Sequence, residues 1–545
     1  MRSVGINLGH DGAVALVEDA SLVFSIEAEK DGHERFSAFS PDRLRRLVLP
    51  TLTAGTIVSY SGWNFTEGPL AGTYFGLQSK TVAGTGLLIQ GRLSPHERAH
   101  IISSFALSPY PQGEPCYALV WEGSLGSLYL LDATLSITKI ADILISPGKR
   151  YSLVYELAHP NYPDSSRGHS ADVAGKLMAL AAYGSGATAT KEEQRLLDYF
   201  LLPDRAHEKG DLRHTHLYNV GVQDENVARF AWLLSEGLFG LFFDRVKACV
   251  TGRRNLIISG GCGLNCEWNS RWKDSGLFND IFVPPVTNDS GVAIGAAADA
   301  QLSATGSAKL SWSVYSGEDL VEDVGEVPGL VKRPFSTEEA ASLLADGAIL
   351  AWAQGRYEIG PRALGNRSLL ASPFSQGART RLNEIKEREL YRPIAPVCTE
   401  DEADLWFAGR LPSPHMLYFS TVRNDRLEAV RHIDNTARVQ TVSKGQNESL
   451  YALLGSFAAR KDGVSVLCNT SLNRKSKGFM NKVSDITRFA IEKGIDAVAT
   501  QSSLYINVEW MKLRRANSTD RGRNCLLSDA LGSRTQQNES DQDKC

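Results

Sequence analysis

Over the first 26 positions the apolar residues come in short runs parted by glycine or aspartate. "VGINL" at 4–8, "AVALV" at 13–17 and "LVFSI" at 22–26 predict a β-meander. The look returns at 118–144, "ALVWEGSLGSLYLLDATLSITKIADIL", where Gly123, Gly126 and Asp132-Ala133 split the strands. Two meanders of one kind, each opening a half, predict a duplicated core. Helical spacing follows. "HSADVAGKLMALAAYG" predicts a helix with Gly184 as its C-cap, and 225–250 a long, mostly buried helix or helix pair. "NLIISGGCGLNCEWNSRW" then passes from strand to helix through Gly260-Gly261, and "DIFVPPVTNDSGVAIGAAADAQL" does so through Asp289-Ser290-Gly291. The alternation predicts an α/β chain.

Between 303 and 335 the pattern weakens into a polar stretch broken by glycine and proline, which marks a boundary between domains at 1–325 and 336–515. Residues 516–545 are polar and poor in aromatics, the composition of a disordered tail. A chain of 545 residues has room for at least two cores. With 43% hydrophobic and 22% charged residues and a net charge of −4, it offers no bulk attraction to nucleic acid or an anionic membrane. No stretch reaches the ~20 apolar residues of a membrane span, and the N-terminus lacks a signal-peptide core. Eight scattered cysteines without CxxC spacing imply reduced thiols and a cytoplasmic address.

"LSPHERAHI" sets His96 and His100 on one helix face, which suits either metal ligation or a solvated turn. Glu97 after the first histidine keeps a metallopeptidase open. Asp289, after an apolar strand and before a glycine-opened helix, is a candidate third ligand or an N-cap. "GGCGLN" at 260–265 can bring backbone close to a nucleotide, although the chain lacks a Walker P-loop here. The second domain is basic. Arg356, Arg362 and Arg367 flank Gly-Pro and Leu-Gly turns, followed by Lys386, Arg388, Arg392, Arg438, Arg474 and Lys475. Glu384, Glu387 and Glu389 could balance them as a solvated face, but arginines beside turns suit bidentate capture of a phosphate-like anion.

Nine motifs in order, "GHDGAVALV", "HERAHI", "GKLMALAAYG", "SGGCGLN", "FVPPVTNDSGVAIGAA", "EIGPRALGNRSLLASP", "KERELYRPIAPV", "DNTARVQTV" and "LCNTSLN", resemble the NodU/CmcH-type O-carbamoyltransferases from about residue 3 to about 510. The resemblance implies an actin-like ATPase domain followed by a YrdC-like α/β domain. It implies a metal, iron in that family, on His96, His100 and Asp289, and ATP with Mg and carbamoyl phosphate as co-substrates. Carbamoyl phosphate would lie on Arg362, Lys386, Arg392, Arg438 and Arg474, and the nucleotide on Gly260, Gly261, Asn265, Asn288, Gly291 and Lys176. A carbamoyl-adenylate made in the second domain would pass to the first, where a small-molecule hydroxyl attacks it with His10 or Asp11 as base. Acceptor contacts are expected in 60–80 and 159–170, and a homodimer is the candidate assembly. The family's Gly-Glu-Pro is missing from "NTSLNRKSKGFMNKV". An actin-like kinase, a metallopeptidase and a non-catalytic regulator are the rival readings.

Overall fold

The computed structural model describes residues 1–64, 68–69, 78–81, 88–165, 173–203 and 207–514. The first meander is β1 (Arg2–Asn7), β2 (Ala13–Glu18) and β3 (Ser21–Glu27), joined by β4 (Ile57–Ser61), β5 (Gln78–Thr81) and β6 (Leu88–Leu93) in the order β3-β2-β1-β4-β6-β5. The second is β7 (Cys116–Trp121), β8 (Gly126–Leu131) and β9 (Ile137–Asp142), joined by β10 (Asn255–Ser259) and β11 (Ile281–Phe282) in the order β9-β8-β7-β10-β11. In both, three antiparallel strands continue into parallel ones: β4 runs parallel to β1, and β10 parallel to β7. The sequence repeat is therefore a repeat of topology.

Between the sheets lie α1 (His96–Leu107) and a helix rich in glycine and alanine at Gly291–Thr305. Its small residues are a packing requirement. A Cβ at Gly5 would fall 1.9 Å from Ala293 O, and one at Gly295 only 1.8 Å from Ala99 O. The helix thus presses backbone against β1 on one side and against α1, between His96 and His100, on the other. We expect Gly295→Ala to force these helices apart and lower unfolding free energy by about 1–3 kcal/mol in denaturant titration.

Glu225–Cys249 is one helix rather than a pair, and its apolar face closes the large core of the second half. Gly184 does not serve as the expected C-cap. The helix Ala174–Ala181 runs on into a 3-10 turn through Gly184, and the positive φ comes at Gly186. Gly184 instead permits close packing, since a Cβ there would lie 2.4 Å from Ala228 O.

A third, eight-stranded mixed sheet forms the C-terminal part. It opens with Leu330–Pro334, which pairs antiparallel with Ser503–Asn507 ahead of the boundary expected at 336. Only Leu330 of this edge strand is buried, so its apolar pattern is weak. The polar stretch before it is a strap joined to both parts. Leu22 N and Ser25 N donate to Ser311 O and Ser316 O, while Leu320 N and Val321 N donate to Gly355 O and Asn481 O. The tail from 515 and much of the expected acceptor segments 60–80 and 159–170 lie outside the described residues. No helix among the described residues is long and apolar enough to cross a membrane.

Candidate functional site

Helix α1 starts at His96, so His96 and His100 stand one turn apart on its inner face, ring centroids 4.6 Å apart and perpendicular. Both are buried. Asp289, from the turn before Gly291–Thr305, places Oδ1 3.1 Å from His100 Nε2 and Oδ2 3.9 Å from His96 Nε2. Its side chain thus faces the histidines, and the N-cap position of the following helix belongs to Ser290. Glu122, just past β7, completes the group with Oε2 3.4 Å from His96 Nε2, and one ligand atom from each of the four lies within 4.8 Å of every other.

The donor chemistry fits a divalent metal of the first transition row. Ser259 Oγ donates to His100 O at 3.0 Å, so Ser259 receives the Nδ1–H of His100 and leaves Nε2 with a lone pair facing a carboxylate. That arrangement needs a cation or a proton between them. Glu122 Oε1 is buried and has no hydrogen-bond partner among the described residues. Burial pushes the Asp289 carboxyl up, but the neighbouring His96 and His100 outweigh it and hold it well below the usual carboxylate range. Burial pulls His96 down, and Asp289 and Glu122 reverse this.

His10 and Asp11 occupy the β1–β2 turn. His10 Nδ1 is 3.1 Å from Asp11 Oδ2 and Nε2 is 3.2 Å from Asp289 Oδ2, while half the His10 side chain is exposed. The hydrogen bond to Asp11, opposed by burial and reinforced by Asp289, lifts His10 to about 9. It is thus held protonated by Asp11 first and by Asp289 second, and acts as a base where that combined pull is offset. Asn7 fixes the turn, its Nδ2 donating to His10 O, Asp11 O and Asp289 O at 3.0–3.1 Å. Sequence reasoning missed both Asn7 and Glu122. The repeat carried the signal: Glu122 follows the first strand of the second meander as His10-Asp11 follow that of the first, and these turns meet at Asp289. Glu97 points elsewhere, taking the Tyr129 hydroxyl hydrogen bond and standing 3.6 Å from Lys139 Nζ, so the zincin-type base is not in place.

The two glycine-rich turns are tied together: Gly260 N donates to Thr287 O at 2.8 Å and Thr287 Oγ1 to Gly260 O at 3.1 Å. Gly260 has φ 92°, and a Cβ on it would meet Trp121 O at 2.5 Å, whereas Gly261 faces open space. Asn265 caps the helix Cys266–Asp274, accepting from Glu267 N and Trp268 N. Asn288 Oδ1 accepts from Ser290 Oγ, and Gly291 is packed on Val286 O. Lys176 lies at the seam of the two parts, 3.7 Å from Glu389 Oε1 and over the Tyr155 ring.

Arg362, Lys386, Arg388, Arg392 and Arg438 converge near Arg35 of the first part. Burial, then the neighbouring cations, depress Lys386 and Arg388 well below their ordinary values and Arg362 to about 9. Burial and Arg392 also lower Arg438 despite a favourable Cys266. Carboxylates stand only at the margin: Glu389 is 3.8 Å from Arg392 and Glu29 3.6 Å from Arg35 among the described residues. Partly buried cations that repel one another have the chemistry to take up an anion. Lys386 Nζ already donates to Ser471 O at 2.7 Å, Asn473 O at 2.6 Å and Asn473 Oδ1, so its contribution to an anion is chiefly charge. Arg474 is not brought into the group; it pairs with Glu492 at 2.5 Å and stacks on Phe489. Its segment runs along the first part, with Arg35 N donating to Ser476 O and Gly478 N to His33 O.

The chain belongs to the carbamoyltransferase family: the family's N-terminal model matches residues 76–298 and its C-terminal model residues 341–506. It is a carbamoyltransferase. It is 41% identical over 521 residues to 3'-hydroxymethylcephem-O-carbamoyltransferase of Amycolatopsis lactamdurans, covering 93% of this chain and 100% of that one. With the Streptomyces clavuligerus enzyme of the same name it shares 40% over 526 residues, 93% and 99% of the two chains. Nodulation protein U of Rhizobium tropici is 33% identical over 539 residues, 88% of this chain and 92% of that one. Among solved structures, an archaeal actin homolog in complex with ADP aligns with 55% of this chain and 99% of its own at 10% identity, with a TM-score of 0.29, too low to bear on the fold.

Proposed function

We propose that this carbamoyltransferase modifies a hydroxyl of a small-molecule acceptor, using carbamoyl phosphate and ATP through a carbamoyl-adenylate. One observation carries the reading: the cluster of mutually repelling cations adjoins the glycine-rich turn, with Arg362 Nη2 donating to Leu264 O at 2.9 Å. The repeated sheet order supports an actin-like ATPase fold for 1–325, and the family resemblance a YrdC-like one for 336–515. In the second domain Arg362, Arg392 and Arg438, with the charge of Lys386, hold the phosphate of carbamoyl phosphate. Water cleaves carbamoyl phosphate to carbamate and phosphate, and the carbamate oxygen then attacks the α-phosphorus of ATP, expelling pyrophosphate. In the first domain the turns at Gly260–Asn265 and Asn288–Gly291 hold the adenylate, and Lys176 lines the passage between. The acceptor oxygen attacks the carbamoyl carbon, AMP leaves, and His10, oriented by Asp11, takes the hydroxyl proton. Direct passage from one site to the other would shield both labile acyl phosphates from bulk water.

His96, His100, Asp289 and Glu122 would hold the metal, with iron the expected ion, which when bound supplies positive charge against the adenylate phosphate. The identities of 40–41% to cephem carbamoyltransferases, against 32–33% to nodulation proteins U, support a hydroxymethyl cephem as the acceptor class. Purified protein given carbamoyl phosphate and ATP is expected to release pyrophosphate, and to consume a hydroxymethyl cephem when one is added. Carbamoylation that proceeds without ATP would overturn the adenylate route. Phosphorylation of the acceptor would favour the kinase.

A further inference from the structure

The turn "EIGPRALG" is gripped from two sides. Within its own part, the buried Glu358 carboxylate accepts three backbone N–H bonds through one oxygen: from Leu364 and Asn366 at 2.7 Å and from Arg367 at 3.2 Å. Its other oxygen has no hydrogen-bond partner among the described residues. From the first part, Glu27 Oε1 accepts from Gly360 N at 2.6 Å while Lys30 Nζ donates to Gly360 O at 2.6 Å. One residue is thus held by both its polar groups. Glu27 and Lys30 are 3.5 Å apart and almost fully buried, with Lys30 Nζ 3.8 Å from the Phe479 ring centroid. Gly360 has φ 86°, and a Cβ on it would come 2.3 Å from Pro285 O, four residues before Asp289.

Burying an ion pair costs desolvation that attraction alone does not reliably offset, so stability is a weak reason for this one. Its hydrogen bonds do fix a position. They set Gly360, Glu358 sets residues 364–367, and Arg362 is suspended between these two anchors with its guanidinium on Leu264 O.

We infer that Glu27, Lys30 and Glu358 are positioning residues for Arg362, and that the first domain thereby sets the geometry of the anion site in the second. This rests on the anion-binding reading of Arg362 above. The test is a double-mutant cycle on the full chain, with inorganic phosphate as probe in titration calorimetry. Arg362→Ala, Glu358→Gln and the neutral pair Glu27→Gln/Lys30→Met are each expected to weaken phosphate binding about tenfold or more, as loss of a charge-assisted contact does. Residues that act only through Arg362 have nothing left to misplace once it is gone. Glu358→Gln and the neutral pair should therefore add no further loss in an Arg362→Ala background. Additive losses in folded protein, or no loss from either positioning change while Arg362→Ala loses binding, overturn the inference. Arg362→Ala protein that binds phosphate like the parent overturns instead the anion-site reading of Arg362. Glu358→Gln keeps an acceptor oxygen in place and serves the cycle alone if the buried-pair variant does not fold.

Discussion

A His96→Ala/His100→Ala variant is expected to purify folded, with bound metal at background by elemental analysis and with acceptor carbamoylation lost. Removing the two imidazoles leaves Asp289 and Glu122 facing one another in a buried site, which cannot hold a first-row metal against solvent. A milder change grades the effect. Ser259→Ala removes the hydroxyl that takes the His100 Nδ1 proton, and losing such an outer partner costs about 10–100-fold in metal affinity. Glu122→Ala should also lower metal content, since Glu122 belongs to the same four-donor group. Pyrophosphate release should survive in all three variants, because the proposed mechanism assigns adenylate formation to the other domain. Full metal occupancy in the double histidine variant would sink the assignment.

How much of this was legible in the chain depended on whether the signal was local. The meanders, the Gly260-Gly261 and Asp289-Ser290-Gly291 turns and the His96/His100 face are set by neighbours a few residues apart, and periodicity and turn residues report them. Glu122 was not legible, because a lone carboxylate after a strand acquires meaning only when the fold brings it within 3.4 Å of His96. Lys386 was legible as a cation but not as one whose hydrogen bonds are taken by Ser471 and Asn473. The stretch at 303–335 read only as a domain boundary because its hydrogen bonds run to distant residues, which no local pattern reveals. Gly184 was read from its place at a helix end, although the requirement for glycine comes from Ala228 across the packing.

Arg392→Ala is expected to slow pyrophosphate release from carbamoyl phosphate and ATP by about one to two orders of magnitude. This is the loss of one partly buried charge-assisted contact of roughly 1.5–3 kcal/mol realised in the transition state. Arg392 is a cleaner probe than Arg362, because Arg362 also bonds Leu264 O and its removal disturbs both centres. Supplied with preformed carbamoyl-adenylate, Arg392→Ala protein should still carbamoylate the acceptor, since the proposed mechanism assigns the attacking hydroxyl and its base to the β1–β2 turn. His10→Ala should behave in the opposite way: pyrophosphate release continues while the carbamoylated product disappears. Its metal content should fall far less than that of the double histidine variant, because His10 touches the ligand Asp289 without being one of the four clustered donors. The pair of variants therefore separates the half-reactions. If folded Arg392→Ala protein fails in both, or His10→Ala stops pyrophosphate release, the division of labour between the two domains is wrong, and the cation cluster and the His10 turn would have to serve a single centre.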